Sequence, residues 1–533
     1  MQIPWLSILV VVPLGAAAVL WLVPALRPVA RQVALGVSLL VLAGAVAMAA
    51  QFDVAAAGEQ QFTELRSWIP ALGVSYALGV NGLGLVMVLL SALLVPLVLL
   101  SSWRDPAGAP VPEERDPQEH ARRQAGYVAL VLALEAMMIA VFAARDLFLF
   151  YVLFEAMLVP VYFLIGVYGG PRRRYAAVKF LLYSLAGGLV MLAAVVVLFV
   201  HGPGGPEGFL VDNLTGLPLD TGLGRWLFVG FFVAFAVKAP MWPVHTWLPD
   251  AAQNATPGTS TLLVGILDKV GTFGMIALCL PLFPEASRWA APAIVVLALI
   301  SIIYGGLLAV GQNDLMRLVA YTSVSHFGFI VLGIFVLTST AMTGSALYML
   351  AHGLSTAGLF LAGGMLTARG RTQEIGAYGG MQRVTPVLAG FFLVAGLASL
   401  ALPGLSGFVP EFLVLVGSYA RAAAVGVLAT AGVIIAALYV LLPYQRIFTG
   451  PVQERLHHIP DLGARERWVL APLVAAMLAL GLYPAPALEV LTPVAQEAVA
   501  VVGAEDPTQA AAPAEGAADR SAAPAGTIEG SDR

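Results

Sequence analysis

The sequence predicts an all-α polytopic membrane protein with about fourteen transmembrane helices, including two inverted five-helix repeats that each contain one discontinuous helix. Three observations predict it. Hydrophobic residues make up 59% of the 533-residue chain and charged residues 11%, whereas a soluble domain carries about a quarter charged residues. Apolar runs of about 20 residues recur along the chain, the length needed to cross a bilayer as a helix. They lack the strict alternation of a barrel strand, and helices and closed barrels are the two structures that satisfy the backbone in lipid. Finally, two of the runs are cut by proline at corresponding places.

In order, the spans fall near residues 3–24, 32–50, 79–102, 126–143, 147–168, 176–200, 226–251, 257–281, 290–310, 314–337, 341–366, 385–419, 424–448 and 468–486. No basic residue precedes the first run and no convincing cleavage site follows it, so it reads as an uncleaved span. Residues 1–125 form a three-helix segment whose Pro-rich charged stretch, 105–118, is an inner loop. Spans four to eight (126–281) and nine to thirteen (290–448) form two five-helix units. The seventh span breaks at Ala239-Pro240, directly after Lys238. The twelfth breaks at Leu402-Pro403-Gly404, shortly before Glu411. An odd number of spans per unit reverses the second unit relative to the first, and broken helices at matching positions mark transporters with ion sites near the midplane. Residues 449–502 are a C-terminal helix region, and the Ala/Pro/Gly-rich segment 503–533 is expected to be a disordered tail.

Arginine placement sets the orientation. With the N-terminus outside, the inner loops hold seventeen arginines, among them Arg27, Arg104, Arg115, Arg172, Arg317, Arg369 and Arg465. The outer loops hold five: Arg66, Arg145, Arg225, Arg288 and Arg421. Both termini are expected on the periplasmic or exterior side, with lipid as the surrounding partner and no nucleic-acid partner. The single cysteine, Cys279, excludes disulfides within the chain and Cys-ligated clusters.

Of 27 basic residues only three are lysine, Lys179, Lys238 and Lys269, and all three lie inside apolar segments. Lysine can lose its proton when buried; arginine cannot in practice. A charge at the bilayer centre costs at least about 2.5–3.5 kcal/mol, so the ionisable residues within spans need a reason to be there. Glu155, in span five, is suited to partner Lys238: a nearby carboxylate holds the proton on the amine, and separation favours its release. Beside Lys238, Pro240 and Pro243 free backbone carbonyls upstream. Lys269 sits mid-span. Its neighbour Asp268 does not share its helix face and reads equally as a relay or a structural group. His326 and His352 lie in successive spans with hydroxyl residues on nearby turns, and histidine titrates near neutrality. Metal binding is not expected there, because no carboxylate or cysteine shares their spacing. Glu411 follows the second break. Lys179 is one turn into its span and can snorkel to the inner surface. Glu135 is an auxiliary or structural acid, and His245 and Asp250 shape the break in span seven. Asp146 reads as the cap of span five, and Asp314 and Arg317 as an inner-loop cap and anchor.

The stretches FEAMLVPVYFLIGVYGG, FAVKAPMWPVHTWLPDAAQNATPGTS, LLVGILDKVGTFGM, NDLMRLVAYTSVSHFGF, AHGLSTAGLFLAGG and LALPGLSGFVPEF resemble the antiporter-like membrane subunits of respiratory complex I over about residues 127–448. Within that family the chain is most similar to the M-type. The fifth span carries Glu-x-x-Leu-x-Pro, Glu411 stands where the L- and N-type relatives are expected to carry lysine, and the long C-terminal amphipathic helix of the L-type is lacking. The resemblance implies Glu155 and Lys238 as a coupled pair, Lys269 at the centre, His326 and His352 as connectors and Glu411 on the outward half. It also implies L- and N-type neighbours and, through them, a hydrophilic redox arm. No cofactor is expected in this chain; FMN and Fe–S clusters belong to partner subunits. The 503–533 tail departs from the family pattern. The function expected is proton pumping in NADH:quinone oxidation, with a Na⁺/H⁺ antiporter subunit or an ion-pumping membrane hydrogenase subunit as the nearest alternative. A small-molecule symporter would need a substrate pocket, and a passive scaffold would tolerate loss of Lys238.

Overall fold

The computed structural model describes residues 3–103 and 117–507. Most of the 105–118 loop and of the 503–533 tail, with Arg104 and Arg115, lies outside the described residues. Among the described residues, thirteen helices are long and apolar enough to cross a membrane. That count omits span twelve, because its break leaves two short pieces, Pro386–Ser399 and Phe408–Arg421. It also omits span fourteen, Ala464–Leu482, whose first turn carries Arg465, Glu466 and Arg467. It includes one helix that does not cross. Ala485–Val502 lies along one face: the backbone of Val490 abuts Gly82 at the start of span three, and the Glu497 carboxylate abuts Gly58. Just beyond its end, Asp506 accepts from the Ser339 backbone N–H at 2.7 Å. With these adjustments the fourteen expected crossings are recovered.

The connection between spans two and three was expected to be a plain outer loop, and it is not one. Gln61–Ile69 and Val74–Val80 pair as an antiparallel hairpin, turned by Pro70–Leu72 and by Gly73 at φ 67°, a left-handed conformation that favours glycine. The hairpin clamps the start of span five. Asp146 caps that helix through the Leu149 N–H (2.9 Å) and also accepts from the Ser75 N–H (2.8 Å), so the expected cap has a second task. Glu64 of the hairpin accepts from the Leu6 N–H at 2.9 Å. The start of span one, the hairpin and the C-terminal helix therefore share one face, called outer below.

Both proline breaks occur where expected. Span seven runs from Thr221 to Lys238 and resumes as Trp247–Asn254. The Trp247 indole N–H donates to the Val237 carbonyl at 2.9 Å, satisfying a group the break frees. Span twelve is interrupted over residues 400–407, with Gly404 at φ 89°. Two further irregularities were not expected. Span five is split at Met157 into Leu147–Ala156 and Leu158–Tyr168. Pro160 explains the split, since it has no N–H for the Ala156 carbonyl four residues back and its ring crowds that oxygen. Span eight contains two π-helical turns, Leu263–Leu267 and Met275–Cys279, flanking Lys269. Such turns recur at functional positions.

Candidate functional site

Glu155, in the last turn of the first piece of span five, is half-buried. Its carboxylate presses against span six at Gly188, where a Cβ would collide with Oε1. Lys238 ends the first piece of span seven and is 1% exposed. Its Nζ lies 4.6 Å from the centroid of the Phe154 ring, a cation–π contact worth roughly 2 kcal/mol when desolvated. Glu155 and Asp268 are the charged groups within electrostatic reach of Lys238. Among the described residues Lys238 Nζ, Glu155 Oε1 and both Asp268 oxygens have no hydrogen-bond partner. The structure thus brings Glu155 and Lys238 into one neighbourhood without joining them in an ion pair. Span eight approaches closely because Gly271 and Gly274 face Phe235 and Ala239, leaving no room for a side chain.

Lys269 is fully buried. Its Nζ donates to the Val264 carbonyl in the first π turn (2.6 Å) and meets His352 Nδ1 at 2.8 Å. Asp268 is within electrostatic reach of both Lys238 and Lys269. The His352 and His326 rings lie edge to face with centroids 5.1 Å apart. On its far side, His326 Nε2 meets the Ser399 carbonyl of broken span twelve (3.1 Å) and the Tyr439 hydroxyl (2.9 Å). The carbonyl requires a proton on Nε2, whereas the Tyr439 hydroxyl can accept from a protonated nitrogen or donate to a bare one. The Tyr348 ring packs 5.9 Å from His326, and its hydroxyl donates to Glu411 Oε2 at 2.7 Å.

Lys269, His352, His326, Tyr348 and Glu411 therefore form a buried succession of groups that can hold or pass a proton. Lys238 and Asp268 adjoin it at one end. Tyr348 and Tyr439 were not among the residues picked out from sequence. Tyr348 carries a readable signal, since it sits one helical turn before His352 and shares its face. Tyr439 carries none.

Three expected auxiliaries lie away from this succession. Glu135 is fully buried in span four, with neither oxygen partnered among the described residues. Lys179 pairs with Asp250 at 2.7 Å; Asp250 also takes Arg317 at 2.5 Å. Asp250 thus does more than shape the break, because it ties spans six and seven to span ten across the unit boundary. Arg317 is anchored through Asp314, which accepts its backbone N–H at 3.0 Å. His245 is buried beside the Tyr304 and Tyr321 rings, and neither ring nitrogen is partnered among the described residues.

The family model described as NADH:quinone oxidoreductase/Mrp antiporter, TM, matches residues 144–437, a segment that holds every residue above except Glu135 and Tyr439. NADH-quinone oxidoreductase subunit M of Mycobacterium tuberculosis is 47% identical over 538 residues, covering 96% of this chain and 97% of that protein. The chain belongs to this family. Subunit M of Rhodobacter capsulatus is 38% identical over 92% of this chain and 95% of its own length. A chain in the structure of respiratory complex I from Thermus thermophilus with bound NADH superposes at a TM-score of 0.83, with 32% identity over 93% of this chain and all of that one. A chain of the Mrp complex from Dietzia shares the fold at a TM-score of 0.80 with 22% identity.

Proposed function

We propose that this chain is the M-type proton-pumping membrane subunit of an NADH:quinone oxidoreductase in a bacterial plasma membrane, with both termini outside. The observation that carries this reading is the buried contact of Lys269 with His352, continued through His326 and Tyr348 to Glu411. It joins the two units between their broken helices. A proton enters on Lys238 from the inner side, by way of the opening that Pro240 and Pro243 make in span seven. Asp268 stabilises positive charge on either lysine in turn, so arrival of charge at Lys238 and its departure from Lys269 are coupled. Lys269 hands its proton to His352 Nδ1. His326 accepts it and exchanges partner between the Ser399 carbonyl and the Tyr439 hydroxyl. Glu411 takes it through Tyr348 and releases it outward. Glu155 sets the affinity of Lys238 for its proton by moving toward or away from it. Electron transfer takes place in partner subunits that carry FMN and Fe–S clusters, and L- and N-type subunits flank this chain.

The identity of nearly half of all positions with a subunit M favours this reading over a Na⁺/H⁺ antiporter subunit. The test is NADH-driven acidification of vesicles by the assembled complex. Glu155→Gln and Lys238→Ala are expected to oxidise NADH while moving several-fold fewer protons per NADH, with or without Na⁺. Wild-type stoichiometry in both variants would leave the chain a scaffold, and a strict Na⁺ requirement would favour the antiporter reading.

A further inference from the structure

On the outer face, above the first unit, lies a cavity of about 560 Å3. Glu59, Asn81, Arg145, Asp212 and Glu497 give it a polar lining, and Phe273 and Ala277 of span eight contribute to its wall. A second cavity of about 70 Å3 shares Asn81, Arg145, Asp212 and Phe273 with it and adds Phe142 and Phe150. Both exceed the roughly 10–15 Å3 that a water needs, and both offer the polar partners that hold one. The two cavities share a wall, and the smaller one reaches Phe150.

Below Phe150 lie further rings. Span five enters from the outer face at Asp146, so Phe150 and Phe154 lie one turn apart on the same side of the helix. Their centroids are 6.1 Å apart, and Phe235 of span seven packs against both at 6.0 and 5.9 Å. Phe154 also receives the ammonium of Lys238. One aromatic layer thus separates the outer cavities from an amine able to hold a proton.

We infer that Phe150, Phe154 and Phe235 form an aromatic seal that closes an outer half-channel over Lys238. The inference rests on the proposed role of Lys238 as a proton carrier. Apolar constrictions block conduction by excluding water, and a proton needs an unbroken hydrogen-bonded path. With the seal intact, a proton on Lys238 can travel only along the buried axis toward the second unit. With it open, the first unit alone connects Lys238 to the outside and the gradient leaks.

The test is passive. The assembled complex in vesicles, without NADH, is given a pH gradient and its decay is followed. Phe150→Ala, which removes the outermost ring of the seal and extends the small cavity toward Phe154 and Phe235, is expected to speed decay several-fold. Phe150→Leu, which refills the space with an apolar side chain, is expected to decay at the wild-type rate. Adding Lys238→Ala to Phe150→Ala is expected to restore slow decay. Independently of how well Phe150→Ala assembles, Ala277→Cys should react from the outer side with a membrane-impermeant thiol reagent, and Phe154→Cys should not. Wild-type decay in an assembled Phe150→Ala complex, a leak that persists without Lys238, or protection of Ala277→Cys would each overturn the inference. Because no NADH is used, these results are separate from those of the driven pumping test.

Discussion

The tyrosines around His326 carry a prediction that the charged residues alone do not. Tyr348→Phe removes the hydroxyl that donates to Glu411 and leaves a buried acceptor unsatisfied, at a cost of roughly 1–3 kcal/mol. Proton pumping per NADH is expected to fall while quinone reduction continues, read as acidification against NADH oxidation. Tyr439→Phe leaves His326 Nε2 with the Ser399 carbonyl alone, fixing it as a donor, and is expected to slow pumping in the same assay. Unaltered pumping in both would remove the hydroxyls from the path. The charged members were legible in the sequence because each is expensive at its depth. A tyrosine in an apolar helix is not conspicuous in that way. Tyr439 is also separated from His326 by 113 residues, a tertiary contact that no local spacing encodes. The partnering of Lys179 with Asp250 was equally out of sight.

At the scale of the element, irregular helices place the site. Pro160→Ala supplies the missing N–H to the Ala156 carbonyl, allowing span five to run straight through Met157 and taking Glu155 away from a helix end. Pumping is expected to drop while the thermal stability of the complex is held or increased, which differential scanning calorimetry on the purified variant would show. Trp247→Phe deletes the bond to the Val237 carbonyl and is expected to cost about 1 kcal/mol, seen as a lower unfolding temperature. The breaks at Pro240 and Pro403 could be read from sequence because proline announces them. The π turns around Lys269 could not, since residues 263–279 carry no proline to announce them and packing selects the extra residue per turn. The hairpin went unread because its exposed strand carries Trp68 and Leu65 facing outward, which blurs the alternation that marks a strand.

Across the whole molecule, ionic contacts on the face opposite the hairpin hold the pieces together. Arg369 binds Glu466 through both oxygens at 2.6 and 2.8 Å, fastening span fourteen, by its projecting first turn, to span eleven. Burial alone would push the Glu466 carboxyl up, but the Arg369 guanidinium and the Gly463 N–H outweigh it and hold the group below its usual range. Such a group stabilises the fold above the ordinary glutamate value of about 4.3 and loses that contribution as pH falls through this range and below. Glu466→Gln is therefore expected to lack part of the acid sensitivity of the wild type in thermal unfolding scans from neutral pH downward. The order of the spans and the two broken helices were legible from apolar run length and proline. The outer-face helix was not, because its composition matches that of a crossing helix.

The central claim is that a buried lysine must release its proton for the molecule to work, and Lys238→Arg tests it most directly. Arginine keeps the charge and much of the length but does not deprotonate. In vesicles bearing the assembled complex, the account predicts that NADH oxidation persists while protons moved per NADH fall several-fold. A fully assembled Lys238→Arg complex that pumps at wild-type stoichiometry would contradict it.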